Sequence, residues 1–259
     1  MTVPSASSSS AFYGGDCLEV LPTLPADAVQ LIVTSPPYNV GWDYGDAGAG
    51  DRRPLAAYRE FLAEALAGCC RVLRPGGVLA LNLPPTIRSP DHRAYPLSAW
   101  VQMRLLDQGW LLREPLVWAK MREGTPIAAT TAVGRWTNPY LRPTHELVML
   151  ASKEDYRLSG QTAWPEADGH YMEWLKDVWP LPPGRGKRGE ALAFPDELVR
   201  RLVELFSAPG DVVLDPFAGT GTTGRVALAL GRQAWLIEKA PAYWTILERI
   251  VRAASESAA

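Results

Sequence analysis

The segment from Val212 to Glu238 constrains the fold of this chain more than any other. Val212-Val213-Leu214-Asp215 is an apolar run ending in an acid, and it leads into Gly219-Thr220-Gly221-Thr222-Thr223-Gly224, a G-x-G-x-x-G loop. A helical stretch follows and ends near Gly231, and a second apolar run, Gln233 to Ile237, stops at Glu238. Strand, glycine loop, helix, strand and carboxylate is the order in which an open parallel sheet builds a nucleotide site. Glycines let the backbone approach a ligand, and an acid ~20 residues on accepts hydrogen bonds from ribose hydroxyls. Gly184-x-Gly186-x-x-Gly189 fits the same spacing, but it follows Leu181-Pro182-Pro183 and no strand, so it reads as a flexible basic loop.

The rest of the chain repeats the alternation. Ala11 to Gly15 reads as a short strand ending at Asp16, and Val29 to Val33 as a stronger one, apolar except for Gln30. From Leu55 the residues Leu55, Tyr58, Leu62, Leu66, Cys69 and Val72 recur every three or four positions, with Arg59, Glu60 and Glu64 on other faces. That is the period of an amphipathic helix. Arg74-Pro75-Gly76-Gly77 should stop it, and Val78 to Leu83 reads as a buried strand. Leu97 to Gln108 is helical up to Gly109. Leu111 to Lys120 is extended, with Pro115 pointing to a sheet edge, and Glu146 to Ala151 is a further strand. Phe194-Pro195-Asp196-Glu197 opens a helix striped by Leu198, Val199, Leu202, Leu205 and Phe206, and a last helix starts at Pro241. Helix-then-strand repetition predicts an α/β, doubly wound, largely parallel sheet. Met121 to Pro143 and Ser152 to Arg188 show little periodicity and read as inserted loops.

A chain of 259 residues with 47% hydrophobic content suits one large α/β domain or a domain carrying an insertion. Net charge is -2, so any contact with nucleic acid must come from local clusters rather than a global basic field. Cys17, Cys69 and Cys70 form no CxxC pair and have no histidine at zinc spacing, which predicts a reduced, metal-free protein. Residues 1–10 have neither a basic flank nor an apolar core, so they read as a disordered tail and not a signal peptide. No apolar run reaches the ~18 residues of a membrane span.

The glycine loop alone fits NAD as well as S-adenosylmethionine. Its prefix separates them: Asp215-Pro216-Phe217-Ala218-Gly219-Thr220-Gly221 resembles the S-adenosylmethionine loop of DNA amino-methyltransferases, and a proline there is foreign to the dehydrogenase fingerprint. Near the other end, Thr34-Ser35-Pro36-Pro37-Tyr38 resembles the motif with which the same enzymes hold a nucleobase amine. With the amine motif first and the cofactor loop second, the chain resembles the permuted beta group, found in restriction and modification systems. Two softer likenesses are Arg71 to Gly77 and Pro143-Thr144-His145-Glu146, a P-x-H-E segment to which no proton-transfer role is assigned.

The resemblance implies a Rossmann-like, circularly permuted methyltransferase fold. Residues 11–120 would be its catalytic half, 121–189 a target-recognition insertion from which 144–152 returns to the sheet, and 190–259 the cofactor half. For S-adenosylmethionine it implies Asp215, Phe217, Gly219, Gly221 and Glu238, with Phe194 bordering the methionine part. Asp16 is either a turn aspartate or the partner of the adenine amine. Thr222 and Thr223 either donate to the methionine carboxylate or cap a helix.

The amine motif has a specific task. An exocyclic amine is a poor nucleophile because its lone pair is delocalised into the ring, so both its hydrogens must be held while the nitrogen faces the methyl group. The family pattern gives this to the Ser35 hydroxyl and the Pro36 carbonyl, in a stretch that Pro36 and Pro37 stiffen. Tyr38 would stack on a base flipped out of the duplex, a contact worth ~1–3 kcal/mol. Asn39 and Trp42 continue the pocket, and Arg135, Arg185, Lys187 and Arg188 lie where the family contacts DNA. In this superfamily the first motif position is commonly aspartate in adenine enzymes and serine in cytosine enzymes, so Ser35 selects the N4 amine of cytosine, with the N6 amine of adenine as alternative.

The expected protein is thus a cytoplasmic, DNA-associated bacterial or archaeal methyltransferase that uses no metal. It would act on double-stranded DNA as monomer or homodimer, beside a cognate restriction endonuclease. Rival readings are an NAD-type oxidoreductase, which leaves Ser35 to Tyr38 unexplained, a catalytically silent DNA-binding module, and methyl transfer to RNA or a protein amide.

Overall fold

The structure is a computed structural model, and it describes residues 10–41, 51–88, 93–120, 143–158, 170–184 and 194–257. Its strands in chain order are β1 (Ala11–Gly14), β2 (Val29–Thr34), β3 (Leu73–Leu83), β4 (Ile87–Arg88), β5 (Ala94–Tyr95), β6 (Leu111–Leu112), β7 (Leu116–Ala119), β8 (His145–Ser152), β9 (Val178–Pro180), β10 (Val212–Asp215) and β11 (Gln233–Glu238). The helices are α1 (Cys17–Val20), α2 (Leu55–Val72), α3 (Leu97–Asp107), α4 (His170–Trp174), α5 (Asp196–Phe206), α6 (Thr222–Ala229) and α7 (Trp244–Ser257). One mixed sheet runs in the order β1-β11-β10-β2-β3-β8-β7-β9, with β6 also paired to β8. From β1 to β3 every pairing is parallel; β8 is antiparallel to both β3 and β7.

The central strands are largely apolar and buried because both faces are covered. Ile32, Leu79, Leu81 and Leu83 share one core with Tyr58, Leu62 and Leu66 of α2 and with Leu97, Val101 and Leu105 of α3. The alternate residues Leu31, Val33, Val78 and Ala80 pack with Leu198, Val199 and Leu202 of α5 and with Val226 and Ala227 of α6. Each fully buried Leu or Val contributes roughly 1.5–3 kcal/mol over its exposed state, which fixes the strand register on both faces.

Three expectations are corrected here. Arg74-Pro75-Gly76-Gly77 is not a turn: α2 ends at Val72 and the chain enters β3 directly at Leu73. The four residues form a bulge inside β3, which advances from Leu73 to Val78 while β2 advances only from Val29 to Leu31. Backbone bonds from Gly76 N–H to the Lys153 carbonyl (2.8 Å) and from Lys153 N–H to the Gly77 carbonyl (3.1 Å) hold it against the end of β8. The single strand expected over 111–120 is split at Pro115 into β6, which among the described residues pairs with β8 alone, and β7, which lies between β8 and β9. The segment read as loop after Ser152 includes α4 and β9. Trp179 is buried in β9, with its indole N–H donating to the Trp174 carbonyl at 3.2 Å.

Candidate active site

Parallel strands aim their carboxyl ends in one direction, and loops leaving those ends build ligand sites. At the ends of β1, β2, β10 and β11 lies a cavity of about 510 Å³. Asp16, Ser35, Pro36, Pro37, Tyr38, Phe194, Asp215, Phe217, Gly219, Thr222, Thr223 and Glu238 all line it. The two motifs, 181 residues apart at Thr34 and Asp215, meet there because β2 and β10 are neighbours.

On the glycine side the site is made from backbone. Gly219 and Gly221 take left-handed φ values of 51° and 80°. A Cβ at Gly219 would stand in open space, so the backbone is bare toward a ligand; one at Gly221 would lie 2.5 Å from Ile250 Cδ1. Glu238 holds the loop: one carboxylate oxygen accepts from Gly219 N–H at 2.7 Å and the other from Ala240 N–H at 2.8 Å. Gly221 is the N-cap of α6, and neither threonine caps that helix. Instead Thr223 is buried and its hydroxyl donates to the Val33 carbonyl at 3.3 Å, while Thr222 lies on the cavity wall.

Asp215 is only 3% exposed. Its Oδ1 accepts from the Thr34 hydroxyl at 2.6 Å and from Phe217 N–H at 3.1 Å. Burial pushes its carboxyl up to about 6; hydrogen bonds from Thr34, Thr223 and Phe217 N–H work against that rise, and the charge of Glu238 adds to it. It ties β10 to β2 as well as facing the cavity. Asp16 caps α1 by accepting from Leu18 N–H at 3.0 Å, lines the cavity, and pairs with Lys239 at 3.3 Å. The neighbouring Cys17 thiol is pushed far up by burial first and then by Asp16, so near neutral pH it is no thiolate nucleophile.

On the Ser-Pro-Pro-Tyr side the site is made from side chains. Ser35 Oγ and Tyr38 Oη are 2.5 Å apart. The Asn82 amide of β3 donates to Tyr38 Oη at 2.8 Å and to Glu146 Oε2 of β8 at 2.5 Å, and Lys120 pairs with the other Glu146 oxygen. From α2, Tyr58, only 1% exposed, donates its hydroxyl to the Pro37 carbonyl at 2.8 Å. Asn82 Oδ1 is buried with no partner among the described residues, a cost of about 1–3 kcal/mol. Tyr58, Asn82 and Lys120 carry no local signal for this role in the sequence, and Glu146 stood out only within its P-x-H-E segment. Phe61 and Arg53 were also unforeseen: the Arg53 guanidinium lies 4.4 Å from the Phe61 ring centre, and Phe61 meets Phe217 edge-on at 5.9 Å.

Asn39 does not line the cavity. Its amide nitrogen donates to the Arg53 carbonyl at 2.9 Å and its oxygen accepts from Arg53 N–H at 2.6 Å, so it joins two backbone segments. Trp42, Arg135, Arg185, Lys187 and Arg188 lie outside the described residues. Among the described residues, no cluster of three or more His, Cys, Asp or Glu could hold a metal ion, and no helix is long and apolar enough to cross a membrane.

Residues 29–249 match the sequence profile of the N6_N4_Mtase family, described as DNA methylase. The type II methyltransferase M.XycI of Xanthomonas campestris pv. cyanopsidis is 32% identical over 92% of this chain and 86% of its own length. M.Cfr9I of Citrobacter freundii, also a type II methyltransferase, is 30% identical over 93% of this chain and 87% of its own. Among solved structures, TTHA0409 of Thermus thermophilus, assigned as a DNA modification methylase and complexed with S-adenosyl-L-methionine, superposes with a TM-score of 0.70. It is 30% identical, covering 93% of this chain and 94% of that one. The cytosine-N4-specific PvuII DNA methyltransferase shares the fold at a TM-score of 0.68 and 18% identity, over 96% of each chain.

Proposed function

The chain belongs to the DNA methylase family of N4 and N6 amino-methyltransferases, and from that premise we propose that it moves a methyl group from S-adenosylmethionine to the N4 amine of cytosine in double-stranded DNA. One observation carries the reading: a glycine-and-carboxylate loop and an amine-holding motif line the same cavity. Either alone fits other chemistry. Together they fit a nucleoside donor on one side and an amine acceptor on the other.

The residues present suit the donor. Bare backbone at Gly219, the Glu238 carboxylate beside it, and the aromatic rings of Phe194 and Phe217 suit a ribose and a cationic sulfonium chain. Asp16 fits the adenine amine. S-adenosylmethionine, when bound, supplies the electrophilic methyl group; TTHA0409, which is 30% identical, was solved with it.

The acceptor site has the converse job, to hold hydrogens. By the family pattern the Ser35 hydroxyl and the Pro36 carbonyl accept the two amine hydrogens, and the Tyr58 hydroxyl holds the neighbouring Pro37 carbonyl in place. The Tyr38 ring gives the flipped base a stacking face. Ser35 favours cytosine over adenine, because serine is common at this position in the cytosine enzymes of this superfamily. N6 of adenine is the second reading. Arg135, Arg185, Lys187 and Arg188 are assigned to the DNA backbone. The relatives' type II designation makes a restriction endonuclease acting on the same sequence the expected partner.

Incubation with tritiated S-adenosylmethionine and separate DNA, RNA and protein acceptors tests the reading. Label in DNA alone is expected. Label only in RNA or protein, or tight NAD binding with no transfer, would sink it.

A further inference from the structure

We propose that Glu146 sets the direction of the hydroxyl hydrogens in the amine-holding motif and so presents Ser35 as an acceptor; the proposal rests on the amine-transfer reading above. The Asn82 amide has two hydrogens, and its nitrogen lies at 2.8 Å from Tyr38 Oη and 2.5 Å from Glu146 Oε2, so it gives one to each. Turning the amide over would set its oxygen against the Glu146 carboxylate, which only accepts. The Tyr38 oxygen is therefore already an acceptor.

A single hydrogen bridges Ser35 and Tyr38, and either oxygen could supply it. If Tyr38 supplies it, the Ser35 hydrogen turns toward the cavity and opposes an incoming N–H group. If Ser35 supplies it, the Tyr38 hydrogen turns to Glu146 Oε2 at 3.4 Å, and the lone pairs of Ser35 face the cavity. Only the second arrangement holds an amine. Glu146 selects it, because an ionised carboxylate gives the last hydrogen of the chain a place to end, and Lys120 anchors the other oxygen. The Asn82 oxygen that this arrangement leaves buried without a partner among the described residues is a cost to stability, as expected where a polar network serves the chemistry rather than the core.

Glu146 is thus a positioning residue, acting through Tyr38 on Ser35. Glu146→Gln keeps the shape but adds an N–H donor that can drive the chain backward. Its kcat should fall about 10-fold or more, with the affinity for S-adenosylmethionine and the KM for DNA within about twofold of wild type. Tyr38→Phe should lose kcat similarly, and adding Glu146→Gln to it should cause no further loss, because the link is already cut. Should Glu146→Gln lower the melting temperature, Tyr38→Phe alone tests the same link. Wild-type kcat in either variant, or losses that multiply in the pair, would overturn the proposal. A wild-type protein that methylates no DNA would overturn the functional reading with it, whereas an active wild type with an equally active Glu146→Gln overturns this inference alone.

Discussion

The two walls of the cavity are built on opposite plans. The heart of the cofactor wall is local: Ala218, Gly219, Gly221 and Glu238 fall within 21 consecutive residues, shaped by main-chain conformation and bonds to main-chain N–H groups, and Asp16 and Phe194 join it from elsewhere. The amine wall is not local. Ser35 to Tyr38 are held by Tyr58 of α2, Asn82 of β3, Glu146 of β8 and Lys120 just past β7. A wall made of backbone tolerates change in its side chains but not in its glycines. A wall made of side chains depends on partners that no short motif contains.

The comparison breaks most directly at Ser35. Ser35→Ala should lower kcat by about 100- to 1,000-fold, the range for deleting one preorganised group aimed at a transition state, while leaving the S-adenosylmethionine Kd unchanged by calorimetry. A parallel loss in cofactor affinity would mean that the two walls are not separable.

Asp215 is where they join, and pH reads that joint. Its folded carboxyl titrates near 6 against 3.8 for the ordinary group. A raised pKa favours the protonated form, so its contribution to stability is complete below about 3.8 and is lost as pH climbs through 6, roughly 3 kcal/mol in all. Asp215→Asn keeps an oxygen for Thr34 and for Phe217 N–H and removes the charge. Urea melts at pH 4.5 and 7 should show the variant gaining on wild type at the higher pH; a constant difference would contradict the burial argument.

This division also explains what could be read from the amino-acid sequence. The parallel core and the cofactor loop were legible because strand, glycine turn, helix and acid are consecutive. Ser35 to Tyr38 were legible as a motif, but their supports were not: Tyr58 lies 21 residues from Pro37, and Glu146 lies 108 from Tyr38. Only the pairing of β2 with β3 and of β3 with β8 brings Tyr38, Asn82 and Glu146 together. The same limit hid the bulge in β3, because Pro75-Gly76-Gly77 breaks a helix locally whether the chain then turns or extends. It also hid β9, whose three residues become a strand only by pairing with β7.

Smaller effects sharpen the contrast. Glu238→Ala removes the acceptor of Gly219 N–H and the proposed ribose contact together. Calorimetry should show cofactor affinity about 10- to 100-fold weaker, at an unchanged KM for DNA. Tyr58→Phe removes the hydrogen bond that holds the Pro37 carbonyl in place, and kcat should drop about tenfold with cofactor binding intact. If Tyr58→Phe instead weakened only the cofactor, Tyr58 would belong to the wrong wall.

The central claim is that the two walls meet on an exocyclic amine. Duplex DNA methylated by the wild-type protein, digested to nucleosides and analysed by mass spectrometry, tests it most directly. N4-methylcytosine is the predicted product, and N6-methyladenine alone would keep the mechanism but reverse the base assignment. 5-Methylcytosine would contradict the account outright, since ring-carbon methylation needs a cysteine nucleophile and the cavity's Cys17 is held as a thiol.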